Sequence, residues 1–216
     1  MKYLKSLTTL CIALLVFTAC SKKDDSLGED DPCLNGGCTN TIFEPVMIKD
    51  ALAREILNEV NRLRANPSEY KFIDDDLVLM DVKETLSSTA PQKPLKLSEE
   101  LTVKEHHYIR VICYEYKWGS NCNGSSPKQR AIDGGMKNVN EITELQHRTA
   151  TPEMSPYIKD RKKLAKEVVN SFVNYSFGSK EDYIKLLLDS KWKYAGVGYA
   201  SRVCKAKYYY GIVLAN

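Results

Sequence analysis

Histidine is the residue type best suited to metal binding and proton transfer near neutral pH, and this chain of 216 residues has three. His106 and His107 are neighbours on a predicted helix, where successive side chains point about 100° apart, so they cannot both bind one ion. His147 follows Glu141 in a predicted loop, from which it could fold back toward a cleft. We expect His106 and His107 to be surface or boundary residues, and we interpret His147 as either a solvated loop residue or part of a cleft.

The cysteines predict disulfides rather than a metal site. Cys33 and Cys38 bracket a flexible Leu-Asn-Gly-Gly sequence that can close a small ring, and the two further ligands that a metal would need are missing nearby. Cys122 and Cys204 lie in predicted polar loops, and we favour their pairing. Cys113 falls among the apolar positions of a predicted helix, so we expect a buried thiol there.

The first 19 residues have the composition of a secretory signal peptide. Lys2 and Lys5 precede an apolar run from Leu10 to Phe17, and two small residues come directly before Cys20. The run is far shorter than the roughly 20 apolar residues of a membrane-spanning helix. A cysteine at the cleavage point predicts a lipoprotein: Cys20 becomes the first residue of the mature chain and carries a diacylglyceryl group and palmitate, which anchor it in the cell envelope, at the outer membrane or cell surface. An ordinary signal peptide with an incidental cysteine is the alternative.

Composition divides the rest of the chain into a tether and one domain. Residues 20–45 are rich in Asp, Ser, Gly, Asn and Pro and contain too few large apolar side chains for a core, which predicts a flexible tether. Residues 46–216 suffice for a single domain with one core. The chain has 31 basic and 28 acidic side chains, and the signal peptide removes two lysines, so the mature chain keeps a net charge of only +1. That balance excludes nucleic acid as an electrostatic partner.

Periodic apolar positions predict several helices and a terminal hairpin. In the segment Ile48–Arg64, apolar residues recur every three or four positions, as on one face of a helix. A second helix is expected to begin at Ser98 after a long connection, and a short one at the Ser126 cap, ending at Gly134 and Gly135. Further predicted elements are helices over Asp160–Tyr175 and Glu181–Leu188 and antiparallel strands over Ala195–Val203 and Lys205–Leu214.

In order along the chain, these segments resemble the CAP superfamily of cysteine-rich secretory, antigen 5 and pathogenesis-related proteins and their bacterial SCP-like relatives. The match covers roughly residues 50–216. It rests on the first-helix sequence Ile56–Pro67, the start of the second helix at Leu95–Leu101, the Gly-Ser-x-Pro-x-x-Arg stretch at Asn123–Arg130, the displaced Gly-Glu-Asn-Ile motif at Val139–Ile142 and the glycine-rich strand at Ala195–Ala200. The resemblance implies an α+β fold, a three-layer α-β-α sandwich with a small antiparallel sheet.

The central cleft of that family often holds two histidines and two glutamates that suit a divalent metal. By alignment, the first histidine position falls at about Gly119 to Asn121, where no histidine occurs, and the second falls at Tyr183. Glu141 is the acid that remains near its motif. The candidate cleft residues are therefore Asn121, Asn140, Glu141 and Tyr183, which follow from the resemblance, and His147, which follows from its predicted loop close to Glu141. We expect neither a metal nor another cofactor there.

The sequence favours a non-catalytic binding module for an unidentified ligand or protein partner, attached to the membrane through its N-terminal lipid. A metal-assisted hydrolase with a rearranged cleft is one alternative, and a lipid- or sterol-binding protein is another. Other catalytic arrangements fit less well, because Ser125 and Ser126 lack the strand-turn-helix surroundings of a hydrolase nucleophile. We therefore expect no catalytic residue.

Overall fold

Helices cover both faces of one four-stranded sheet in the computed structural model. The structure describes residues 51–73, 78–115, 126–151, 156, 159–174, 182–202 and 207–216, without the side chains of 106, 107, 110–115 and 202. The predicted signal peptide, the lipidation site Cys20, the tether and the paired cysteines Cys33, Cys38, Cys122 and Cys204 lie outside the described residues. Cys113 falls within a described helix, but its side chain is not described.

The first helix, α1 (Ala51–Ala65), buries the apolar face that its periodicity predicts. Leu52, Ile56, Val60 and Leu63 are all buried in the main core, which confirms the prediction over the described part of the segment. The helix ends before Asn66, and Pro67 starts a single turn of 3-10 helix, Pro67–Glu69. Proline at this point disfavours helical geometry in the residue before it.

Two further helices begin at the predicted caps. Helix α3 (Glu99–Glu115) follows Ser98, whose hydroxyl accepts a hydrogen bond from the Leu101 amide at 3.2 Å. Helix α4 (Pro127–Asp133) follows Ser126, whose hydroxyl accepts one from the Gln129 amide at 3.1 Å. Each cap satisfies an amide that has no partner inside its helix. The expectation of a long connection without regular structure before α3 was wrong, because this segment contains helix α2 (Met80–Ser88).

The sheet has the order β1-β3-β4-β2, with strands β1 (Lys96–Leu97), β2 (Ile142–Thr149), β3 (Tyr194–Arg202) and β4 (Lys207–Ala215). The antiparallel β3–β4 hairpin confirms the prediction, and β1 adds a short parallel pair to β3. Strand β2 was not predicted. The sequence analysis expected a loop at His147, which instead lies opposite Tyr210 in a strand antiparallel to β4. Short-range patterns in the sequence do not reveal this strand, because its residues pair with partners 59 to 73 positions away in the chain.

The central strand β4 separates two layers of core. Its residues Tyr210, Ile212 and Leu214 belong to the main core, which also contains side chains of α1, α5 (Arg161–Asn174) and α6 (Tyr183–Leu188). Tyr209 and Val213, on the opposite face, pack with residues of α3. Helices therefore lie on both faces of the sheet, so the predicted α-β-α sandwich is confirmed. This is the architecture that the resemblance to the CAP superfamily implies.

Close contact between α3 and the sheet depends on two glycines. A Cβ atom at Gly196 would lie 2.5 Å from the backbone of Leu101, and one at Gly211 would lie 2.7 Å from Cδ1 of Ile109. Both distances are shorter than carbon atoms tolerate. At Gly196 the atom met is helix backbone, so a side chain there would push α3 away, whereas at Gly211 the buried side chains of Glu105 and Ile109 would have to shift. None of the helices that the structure describes is sufficiently long and apolar to cross a bilayer.

Candidate functional site

Tyr183, the residue aligned with a family histidine, is buried at the start of α6. Its hydroxyl lies 3.4 Å from both the backbone nitrogen and the backbone oxygen of Gln146 in β2. The phenol can therefore accept from the amide and donate to the carbonyl of one residue. Tyr183 is held against the sheet by these contacts, so its hydrogen-bonding capacity is used within the fold.

His147 lies close to Tyr183 but faces apolar rings. Its imidazole is T-shaped against the ring of Phe172 in α5, with a centroid distance of 5.9 Å, and the Phe172 ring is 6.0 Å from that of Tyr183. Only 8% of the His147 surface is exposed, and this burial lowers the pKa of His147 to about 4. The structure thus brings two predicted cleft residues together around one phenylalanine, and it keeps the imidazole neutral near pH 7.

Asn140 and Glu141, two other predicted cleft residues, lie at the surface. The Asn140 carbonyl accepts a hydrogen bond from Nζ of Lys128 at 3.4 Å. The Glu141 side chain is 57% exposed, and its carboxylate is 2.8 Å from Nζ of Lys191. Both residues line a cavity of about 460 Å³ to which Trp192 also contributes.

The predicted cleft is therefore divided between two places. His147 and Tyr183 belong to the packed interior, whereas Asn140 and Glu141 line the surface cavity. Asn121, the fifth candidate, lies outside the described residues, as do the side chains of His106 and His107. Among the residues that the structure describes, no three His, Cys, Asp or Glu side chains lie close enough to hold one metal ion.

A buried charged cluster, which sequence reasoning missed, lies on the opposite face of β2. The Glu144 carboxylate accepts hydrogen bonds from Arg130 of α4 and, at 2.5 Å, from Nε2 of Gln146. The guanidinium of Arg130 stacks over the ring of Tyr108 at 3.5 Å. Each polar group lies in a low-dielectric environment, where its partners must compensate for lost water. One signal was present in the sequence: Glu144 and Gln146 lie two residues apart on either side of the apolar Leu145, in a stretch interpreted as a loop.

Glu105 of α3 adds a second carboxylate to this cluster and is 2% exposed. Burial raises its pKa well above the ordinary value, the neighbouring Glu144 raises it further, and Arg130 offsets part of the effect. The raised pKa favours the protonated, neutral form of Glu105 beside the Glu144 carboxylate. The cluster cross-links α3, α4 and β2 inside the protein, so its arrangement indicates a structural rather than a catalytic role.

Comparison with known proteins gives similarity at the level of the fold. No protein-family model and no curated protein matches the sequence. An outer surface protein from Borrelia burgdorferi is similar in structure, with 13% identity and a TM-score of 0.49 over 76% of this chain and 90% of that chain. Venom allergen-like protein 4 from Schistosoma mansoni has 15% identity and a TM-score of 0.45 over 77% of this chain and 88% of its own. At such identities the similarity concerns the fold alone.

Proposed function

We propose that this chain is an exported lipoprotein of the bacterial cell envelope whose CAP-like domain binds a ligand and catalyses no reaction. Export and anchoring are supported by the basic, apolar and small-residue order that ends at Cys20. The binding role is supported by the geometry of the domain. A cavity of about 460 Å³ lies at its surface, which is within the usual range for small-ligand sites of about 300 to 1,000 Å³.

One observation favours binding over metal-assisted hydrolysis: the packing of Tyr183 at a position where the resemblance implies a metal-binding histidine. Its hydroxyl is occupied by the backbone of Gln146, and its ring packs near Phe172. A hydrolytic zinc typically needs three protein ligands and one open position for water. His147 and Tyr183 face a packed interior instead, and Glu141 lies apart from them at the surface with Lys191.

Titration of the purified protein with zinc tests the absence of catalytic metal chemistry. The wild-type protein, Glu141→Ala and His147→Ala are compared by calorimetry, because these residues are the cleft candidates with the best ligand atoms. We expect any zinc uptake to be the same in all three proteins, since surface histidines or cysteines would then be responsible. Micromolar binding that both substitutions abolish would contradict the proposal and favour the metal-assisted hydrolase instead.

Cell fractionation tests the anchor separately. Replacing Cys20 with serine removes the acceptor thiol, so the protein should move from the membrane fraction to the soluble or secreted fraction. Cys11→Ser is the matched control, because Cys11 lies inside the predicted signal peptide and is removed with it. A membrane-bound pool that remains unchanged in Cys20→Ser would exclude lipid attachment at this residue.

A further inference from the structure

Strand β2 forms one edge of the described sheet, and its hydrogen-bond alternation shows which backbone groups face outward. At its start, the Asn216 amide donates to the Glu141 carbonyl at 3.3 Å, and the Glu141 amide donates to Oδ1 of Asn216 at 2.9 Å. In an antiparallel strand, alternate residues point their backbone N–H and C=O groups toward the neighbouring strand. The backbone groups of Glu141 and Thr143 therefore point toward β4. Asn140 and Ile142 therefore turn their backbone groups to the free edge.

Contacts at two other residues agree with this alternation. Gln146 is four residues after Ile142, so its backbone groups also point to the free edge of the sheet. Both groups form hydrogen bonds with the Tyr183 hydroxyl, which lies beyond that edge. The backbone of Asn140 points to the free edge as well, and its carbonyl accepts a hydrogen bond from Lys128. The edge is thus capped by side chains at Gln146 and Asn140. Between them, the backbones of Ile142 and Glu144 have no such cap among the described residues.

The surface cavity lies at the first of these uncapped positions. It is lined by Ile142 and Thr143 of β2, by Lys128 of α4, by Leu186 of α6 and by Trp192. Its volume of about 460 Å³ leaves room for a short extended segment beside the strand. Unpaired backbone groups on an edge strand provide a template for pairing with another chain.

The charges in the cavity wall select for an acidic segment. Lys191 is already neutralised by Glu141 at 2.8 Å and Asp189 at 3.4 Å. Lys128 has no carboxylate within salt-bridge distance among the described residues, and the Asn140 carbonyl uses only one of its three protons. The buried indole Nε1 of Trp192 also has no hydrogen-bond partner in the described part of the chain. Among the side chains that line the cavity, Lys128 and Lys191 outnumber the one carboxylate, Glu141, so the lining has a net charge of +1. Within this described lining, the positive charge without a carboxylate partner is that of Lys128.

We propose that an extended, acidic peptide segment of another protein binds in this cavity, pairs with the backbone of Ile142 as a short added strand and places a carboxylate against Lys128. The backbone supplies affinity that is independent of sequence, and Lys128 supplies the preference for an acidic partner. This inference rests on the proposed binding function and names its partner class.

Titration of the purified mature chain with synthetic peptides tests the proposal. The probe is a six-residue peptide in which glutamate alternates with valine. Two matched peptides serve as controls. One has lysine in place of each glutamate, and the other keeps the glutamates but has methylated backbone nitrogens. Hydrogen exchange at individual amides, measured by NMR, reports the binding site. We expect the acidic peptide to bind saturably and to slow exchange at Ile142, while Thr143, whose amide already faces β4, changes little.

Charge reversal of Lys128 gives the second measurement. Lys128→Glu should weaken the acidic peptide roughly ten-fold, whereas Lys163→Glu, an exposed lysine of α5 that does not line the cavity, should leave its affinity unchanged. Equal affinity of the N-methylated peptide, equal affinity of the lysine peptide or unchanged exchange at Ile142 would each overturn the proposal, as would absence of binding at millimolar concentration. Zinc titration and fractionation decide the proposed function independently of these results.

Discussion

The hydroxyl of Tyr183 lies 3.4 Å from both backbone polar atoms of Gln146, so one side chain of α6 caps the edge of the sheet in β2. An exposed strand edge would otherwise need water or another chain as its partner. The contact explains why a tyrosine at this position is compatible with the fold. It also separates a capped portion of the edge from the open portion at Ile142.

Removing that hydroxyl should destabilise the domain. Tyr183→Phe keeps the ring beside Phe172 but leaves the buried amide and carbonyl of Gln146 without this partner, at an expected cost of about 1 to 2 kcal/mol in the free energy of unfolding. Urea denaturation measures this change. Tyr194→Phe is the matched control because Tyr194 is exposed, and it should change stability by less than about 0.5 kcal/mol. Equal effects of the two substitutions would contradict the capping role.

Burial of His147 should make the domain sensitive to acid. The folded state lowers the pKa of His147 to about 4, against about 6.5 in the unfolded chain, so the folded state binds its proton less readily. The resulting stabilisation is fully present above about pH 6.5 and is lost as the pH falls toward 4, up to roughly 3 kcal/mol in all.

Comparison of His147→Gln with the wild type isolates this effect. Glutamine has no titrating group, so the variant's unfolding free energy should fall less between pH 7 and pH 4.5 than that of the wild type. Denaturant melts at several pH values give both curves. Parallel curves over this interval would show that His147 does not titrate differently in the folded state.

Glu105 should produce the opposite pH dependence. Its pKa is raised in the folded protein, first by burial and then by Glu144, so its contribution to stability is fully present below its unfolded pKa, about 4.3. The contribution is lost as the pH rises through the folded pKa. Glu105→Gln keeps the shape and removes the titration, so it should stabilise the domain more at pH 8 than at pH 5, by on the order of 1 kcal/mol. An equal effect at both pH values would contradict a raised pKa of Glu105.

Loss of Arg130 should destabilise the domain more than any of these changes. Arg130→Met retains much of the aliphatic volume but leaves Glu144 and Glu105 without their cation, which we expect to cost about 3 to 5 kcal/mol. Arg62→Met is the control: Arg62 also pairs with a buried carboxylate, that of Glu59, but the Arg62 side chain is 56% exposed, so water can replace the lost guanidinium and the loss should be smaller. A loss at Arg130 as small as that at Arg62 would show that the cluster does not depend on its guanidinium.

Residues 46–216 should fold without the predicted tether, because the periodic apolar segments all lie within them. A chain that begins at Val46 should show one cooperative thermal transition, with the same midpoint as the mature protein. Broad melting of soluble material would mean that residues before Val46 complete the core.

Local patterns in the sequence were sufficient to predict elements that form largely from their own residues. The four apolar positions of α1 lie within three turns, and the Ser98 and Ser126 caps bond to amides three residues away. The β3–β4 hairpin is a similar case, because its partner strands are close in the chain and rich in Val, Ile and Tyr. The resemblance of the ordered motifs then implied the α-β-α layers that the structure confirms.

Tertiary structure alone decided the candidate site, because its contacts join residues that are distant in the sequence. Strand β2 exists because it pairs with β4, and that pairing turns His147 into the core and Glu144 toward Arg130. Sequence proximity placed Glu141 and His147 in one cleft, but the strand carries Glu141 to its surface end and His147 to the interior. Which side chain faces a cleft is fixed by strand register and by the helix packed against it, and neither is encoded in local spacing.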